Sequence, residues 1–139
     1  MSIWFTEELH SYYRKGVRVK RVLADEQTKY QHLQFVETEF FGNAMILDGI
    51  IQLTECDNMG YHEMIVHVPM LAVGSPKRVL IVGGGDGGSL QQVLRYPSVE
   101  QAVVCELDQR VCLRFDLRRC HFRLQHLDLD VDGMTDGKS

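Results

Sequence analysis

Val79-Leu80-Ile81-Val82-Gly83-Gly84-Gly85-Asp86-Gly87-Gly88 is the stretch whose reading decides the fold. Four apolar residues in a row, three of them β-branched, read as a short strand buried on both faces, Arg78–Val82. The glycine-rich loop Gly83–Gly88 follows, and a helix is expected from about Ser89 to Arg95. A turn at Tyr96-Pro97-Ser98 leads into a second buried strand, Ala102–Cys105, which ends in Glu106-Leu107-Asp108. Strand, glycine loop, helix, strand is the opening of a parallel α/β sheet of the Rossmann kind.

Upstream the pattern changes. Val17, Val19 and Leu23 begin an alternating strand, and His32–Thr38 reads as a second. Ala44–Leu47 and Ile50–Thr54 flank Asp48-Gly49, a pair that tolerates the positive φ angles of a type I′ hairpin turn. Residues 1–57 therefore form a small amino-terminal β domain, with the boundary within 56–76. From Asn58 to Ala72, Tyr61, Met64, Ile65, Val68 and Leu71 or Ala72 recur at helical spacing and predict an amphipathic helix buried along that stripe. Pro69 lies within it and is expected to end or kink it.

Residues 58–139 read as a partial Rossmann-like, nucleotide-binding domain of the S-adenosylmethionine-methyltransferase type. After Val111 the periodicity deteriorates into an arginine-dense run, Arg114 to Arg119, and a third strand is expected only at Leu127–Val131. The fold class is α/β, a β domain followed by an incomplete Rossmann-like domain.

The bulk numbers exclude several classes. With 139 residues, 45% hydrophobic and 24% charged, the composition is that of a globular chain. A formal charge of −4 gives no basic footprint for nucleic acid or anionic lipid. The acidic start, Thr6-Glu7-Glu8, does not resemble a secretory signal, and no apolar run approaches a membrane span. Four cysteines without a C-x-x-C pair read as reduced thiols in a cytoplasmic protein. Cys120, His121 and His126 lack a second pair of ligands, so no metal site is expected.

The loop carries the chemistry. Gly83-x-Gly85-x-x-Gly88 after a strand and before a helix fits a nucleotide cradle, and Glu106 at the next strand tip can accept the two ribose hydroxyls of an adenosine. Asp86 selects among nucleotides, because a carboxylate there would face the pyrophosphate of NAD at close range. An adenosyl sulfonium has no phosphate and carries a positive sulfur, so it suits that loop. The plainer role for Asp86 is to cap the helix after the loop.

Val79 to Gly88 resembles the hallmark segment of spermidine synthases, the polyamine aminopropyltransferases. Leu47-Asp48-Gly49-Ile50-Ile51-Gln52-Leu53-Thr54-Glu55, Tyr61-His62-Glu63-Met64 and Lys29-Tyr30-Gln31 resemble other blocks of that family, in the same order. The similarity spans residues 4–111. It implies aminopropyl transfer from decarboxylated S-adenosylmethionine to putrescine, giving spermidine and methylthioadenosine, with no metal. It further implies that Gln31, Glu106, Gly83 and Gly85 contact the nucleoside, and that His62, Asp86, Tyr61 and Gln52 line the polyamine channel. Each has a plainer alternative, with Gln31 a surface strand residue, Gln52 a solvated one, Tyr61 a core residue of its helix and His62 its exposed start; taken singly, the plainer reading prevails for Gln52 and Tyr61. Asp132-Gly133 resembles the family's adenine-reading pair, although Cys112 to Leu127 departs from the family. The family's subunits associate partly through the amino-terminal domain, so a homodimer is expected.

One family feature has no counterpart. An Asp-Ser-x-Asp-Pro-like segment carries the catalytic acid of these enzymes, and nothing in 107–139 matches it. The chain alone is therefore expected to be inactive. Two other readings fit the same residues: an S-adenosylmethionine-dependent methyltransferase fragment, or a non-catalytic truncated partner that regulates an intact synthase.

Overall fold

A computed structural model describes residues 3–114. Five strands form an antiparallel sheet in chain order: β1 (Ile3–His10), β2 (Tyr13–Gln27), β3 (His32–Thr38), β4 (Asn43–Leu47) and β5 (Ile50–Thr54). The helix α1 (Asn58–Val73) leads out of this sheet to a parallel pair, β6 (Arg78–Val82) and β7 (Gln101–Cys105), linked by α2 (Gly88–Val93) and followed by α3 (Gln109–Arg114). The described part of the chain is thus an amino-terminal antiparallel sheet followed by a partial Rossmann-like segment. The third strand expected at Leu127–Val131 and the pair Asp132-Gly133 lie outside the described residues.

β1 escaped the sequence reading because its inward position is a carboxylate. Glu7 is buried, its Oε1 accepts the Ile51 N–H at 3.0 Å, and its Oε2 lies 3.0 Å from Lys15 Nζ. This side chain ties β1 to β5, the strand at the other edge of the sheet. The hairpin at Asp48-Gly49 has φ of 49° and 79°, both in the left-handed region, and sets Leu47 opposite Ile50. One face of the sheet packs Val19, Val36, Ala44 and Ile46 together.

The helix α1 forms as expected but presents a different face. His62, Val66 and Met70 are its buried residues, whereas Tyr61 is 59% exposed, and Met64, Ile65, Val68 and Leu71 are exposed too. The sequence is apolar almost all round here, so periodicity gave the helix without fixing its inward side. Val66 and Met70 pack on Val93 of α2 and on Val79 and Ile81 of β6. Of the expected stripe, Tyr61 and Ile65 lie on the wall of a cavity, beside Pro69 and Val73. Pro69 does not end the helix, which continues to Val73 and closes at Gly74, φ 91°.

β6 is likewise not buried on both faces. Val79 and Ile81 join the packed cluster, while Leu80 and Val82 (81% exposed) face the cavity side. Among the described residues, β6 is hydrogen-bonded along one edge only, to β7.

The sheet and the α/β unit meet through Leu33 and Met45, which pack against Val111 of α3. Leu33 is 0% exposed at that junction. Leu33→Ala is expected to cost about 2–5 kcal/mol of stability in urea unfolding. A loss below about 1 kcal/mol would contradict this packing.

Candidate functional site

Main-chain hydrogen bonding delivers the glycine loop to its place. The parallel register sets Val82 beside Cys105, and the Gly83 N–H then donates to the Cys105 carbonyl at 2.8 Å. The loop therefore begins next to the tip of β7, where Glu106 stands. The Gly85 N–H donates to Glu106 Oε2 at 2.8 Å, and a side chain at Gly85 would collide with that carboxylate. The Asp108 N–H donates to Glu106 Oε1 at 3.1 Å. Two backbone donors thus fix the carboxylate that the sequence assigned to the ribose.

Asp86 is held from two sides. Its Oδ1 accepts the Gly88 N–H at 2.6 Å and lies 3.0 Å from His62 Nε2. Both side chains are largely buried, at 15% exposed for Asp86 and 5% for His62. His62 is not the exposed start of a helix. Its ring lies against Gly88, where an added methyl would collide with it. The Gly88 contact also shows that Asp86 engages the start of α2. Among the described residues Asp86 Oδ2 takes no hydrogen bond.

These groups share one cavity of about 710 Å³ between the antiparallel sheet and the α/β unit. Gln31, Gln52, Tyr61, His62, Gly83, Gly85, Asp86 and Glu106 all line it. Of the binding residues assigned from sequence, only Asp132 and Gly133 fall outside the described part, as do Cys120, His121 and His126 of the metal reading. The carboxylates Asp86 and Glu106 make one end acidic. Leu53, Ile65, Leu80 and Val82 make the remaining wall apolar. The Gln52 amide donates to the Ile50 carbonyl of its own strand at 3.5 Å.

Asp108 is the residue that sequence reading passed over. It is 2% exposed, and its Oδ1 accepts the Arg110 N–H at 3.0 Å, which caps α3. Its Oδ2 accepts from Thr28 Oγ1 at 2.7 Å and from Gln31 Nε2 at 3.0 Å. An aspartate three residues before the apolar Val111-Cys112 was a readable cap signal, but nothing in the sequence pointed to its partners on the β2–β3 turn.

A second contact flanks it. Arg110 and Arg114 both pair with Glu26 at the end of β2. The hydrogen bond from Arg110 holds the Glu26 carboxyl below its usual range, and burial opposes the shift less strongly. This contribution is full above the ordinary carboxylate value and is lost as pH falls through the lowered one. It is an exposed pair, so its role is orientation more than stability.

Two tests follow from this geometry. Gly88→Ala should push the His62 ring off Asp86 and lower stability by about 1–3 kcal/mol, read by thermal melting; an unchanged melting curve would contradict the contact. Burial, and secondarily the Glu106 charge, pushes the Cys112 thiol above the ordinary thiol range, so less of it is thiolate at neutral pH than for an ordinary thiol. Iodoacetamide at neutral pH should therefore modify exposed Cys56 at least about tenfold faster than Cys112. Equal rates would contradict the burial of Cys112.

Comparison with known proteins yields the same outline. Residues 3–55 match the spermidine synthase tetramerisation domain and residues 58–133 the spermine/spermidine synthase domain. A polyamine aminopropyltransferase of Thermoanaerobacter sp. (strain X514) is 52% identical over 111 residues, covering 80% of this chain and 40% of that protein. Polyamine aminopropyltransferase 1 of Bacillus cereus is 49% identical over the same length and shares. The chain thus spans about 40% of the length of the curated relatives it matches. The crystal structure of spermidine synthase from Thermotoga maritima superposes with a TM-score of 0.78 at 39% identity, over 81% of this chain and 40% of that one. A spermidine synthase in complex with the transition-state analogue AdoDATO also has a TM-score of 0.78, at 39% identity, over 85% of this chain and 41% of its own. Fold, cavity and sequence agree: this chain belongs to the spermine/spermidine synthase family.

Proposed function

We propose that the chain carries the nucleoside- and amine-binding part of a spermidine synthase-like aminopropyltransferase, which uses decarboxylated S-adenosylmethionine and putrescine. The observation that carries this reading is Asp86, a carboxylate held inside the glycine loop with Oδ2 left unpaired on the cavity wall. A carboxylate about 4 Å from a cation gains on the order of 4 kcal/mol at an effective dielectric of 20, and repels a diphosphate by a similar amount. An alkylammonium and a sulfonium are favoured there, and a dinucleotide is not.

The reaction such a site serves is a displacement at carbon. The amine nitrogen attacks the methylene next to the sulfonium, the carbon–sulfur bond breaks, and sulfur keeps the electron pair as the neutral thioether of methylthioadenosine. The amine then sheds a proton. In this reading Gln31 and Glu106 hold the nucleoside, with Gly83 and Gly85 letting it approach the loop. Asp86 draws the amine and His62 steadies Asp86, while Tyr61 offers an aromatic wall to the ammonium. Gln52 lies at the rim. Asp132 and Gly133 would read the adenine.

No segment of 107–139 matches the family's catalytic acid, and a general base contributes about 100- to 10,000-fold. The 139-residue chain is therefore expected to bind methylthioadenosine while turning over putrescine at close to the background rate. Turnover at a rate ordinary for an enzyme would contradict this. A regulatory partner of an intact synthase is the second reading, and the match of residues 3–55 to a tetramerisation domain favours it. In either case we propose a cytoplasmic homo-oligomer built through the β domain, four chains rather than the two expected from sequence. Equilibrium sedimentation should show the four-chain species; a strict monomer would contradict it.

A methyltransferase would share the loop and Glu106 but must hold S-adenosylhomocysteine, whose tail ends in an amino acid with both a carboxylate and an ammonium. The ammonium can approach Asp86, but the carboxylate must then find a place at a cavity end made acidic by Asp86 and Glu106, a cost that methylthioadenosine does not carry. Calorimetry should show methylthioadenosine binding about tenfold or more tightly than S-adenosylhomocysteine. Equal affinities, or the reverse order, would favour the methyltransferase.

A further inference from the structure

We infer that Asp108 is a positioning residue that fixes both Gln31 and Glu106 as hydrogen-bond acceptors toward the cavity. The inference rests on the nucleoside reading above and adds to it a residue outside the cavity wall. Three contacts support it. The Asp108 carboxylate takes the Gln31 side chain through Oδ2 at 3.0 Å. An ionised carboxylate only accepts, so Gln31 must turn its NH2 group toward Asp108. Its carbonyl Oε1 is then the end left to the cavity that Gln31 lines, and among the described residues it takes no hydrogen bond.

The Asp108 backbone meanwhile donates to Glu106 Oε1. One buried residue thereby sets the orientation of both groups, one from each part of the chain. The turn that carries Gln31 is fixed in the same network. Thr28 Oγ1 accepts the N–H groups of Tyr30 at 3.1 Å and Gln31 at 3.0 Å, and its hydroxyl lies 2.7 Å from Asp108 Oδ2 and 3.0 Å from the Gln31 carbonyl. Two acceptors facing one cavity select a donor-rich partner, and the vicinal hydroxyls of a ribose are such a partner.

Asp108→Asn tests this through hydrogen-bond polarity. The amide oxygen can keep the Arg110 N–H and the helix cap, since asparagine caps as well as aspartate. The NH2 group then replaces Oδ2, and Gln31 must flip, presenting its own NH2 to the nucleoside. Methylthioadenosine binding to the 139-residue chain should weaken about tenfold or more in calorimetry, with the melting curve little changed. Adding Gln31→Glu to D108N supplies a carboxylate that accepts from the new amide and again shows an acceptor to the cavity. The pair should recover binding to within about threefold of the parent. Asp108→Ser keeps a capping hydroxyl but drops the reach to Gln31, so it should weaken binding in a way that Q31E does not repair.

An unaltered affinity in D108N, or a D108N loss that Q31E fails to repair, overturns the inference. Should D108N fail to fold, D108S decides: weakened binding with a preserved melting curve supports the inference, and unchanged binding overturns it. If the parent chain binds no methylthioadenosine, the nucleoside reading fails, and NMR of the Gln31 side-chain amide still judges the positioning. Those signals should move in D108S, and their staying in place overturns it.

Discussion

The contact between His62 and Asp86 is the constraint on which the site depends. It joins a helix that precedes the parallel strands to the loop between them, and it does so where both partners are largely buried. A carboxylate removed from water is costly unless it is compensated, and here the compensation is the imidazole and the Gly88 N–H. The glycine at 88 is required by the same contact, because the ring occupies the space of its side chain. Once these three groups are in place, α1 is fixed against α2, its other apolar face is turned to the cavity, and Asp86 Oδ2 remains available there.

A second constraint joins the two parts of the chain. The cavity has one wall from the antiparallel sheet and one from the α/β unit, so its shape depends on their relative placement. Leu33 and Met45 against Val111 supply the apolar contact, Glu26 with Arg110 and Arg114 the charged one, and Asp108 with Thr28 and Gln31 the hydrogen-bonded one. All three fall on α3 or the residue that caps it. This short helix, which follows β7, therefore orients the β2–β3 turn that carries Gln31.

The strands other than β1, the glycine loop and the hairpin were legible because each has a local cause. Asp48-Gly49 announces its turn through backbone φ, and Val79–Val82 announces its strand through branched apolar residues. What was not legible depended on partners distant in sequence. Glu7 breaks the alternation that would reveal β1, because its partner is the Ile51 amide 44 positions away. The inward face of α1 follows from α2 and β6, which periodicity alone cannot report. The loop and the family blocks marked the cavity residues, but Asp108 reads as a cap in sequence and becomes a clasp only when Thr28 and Gln31 are brought beside it.

The central claim is that the negative loop accepts an uncharged nucleoside and an amine while rejecting a diphosphate. Crystals of the chain soaked separately with methylthioadenosine and with NAD test it most directly. The account predicts a ribose between Gln31 and Glu106 in the first soak, and in the second no diphosphate at the loop. A diphosphate seated against Asp86 on the loop amides would contradict it.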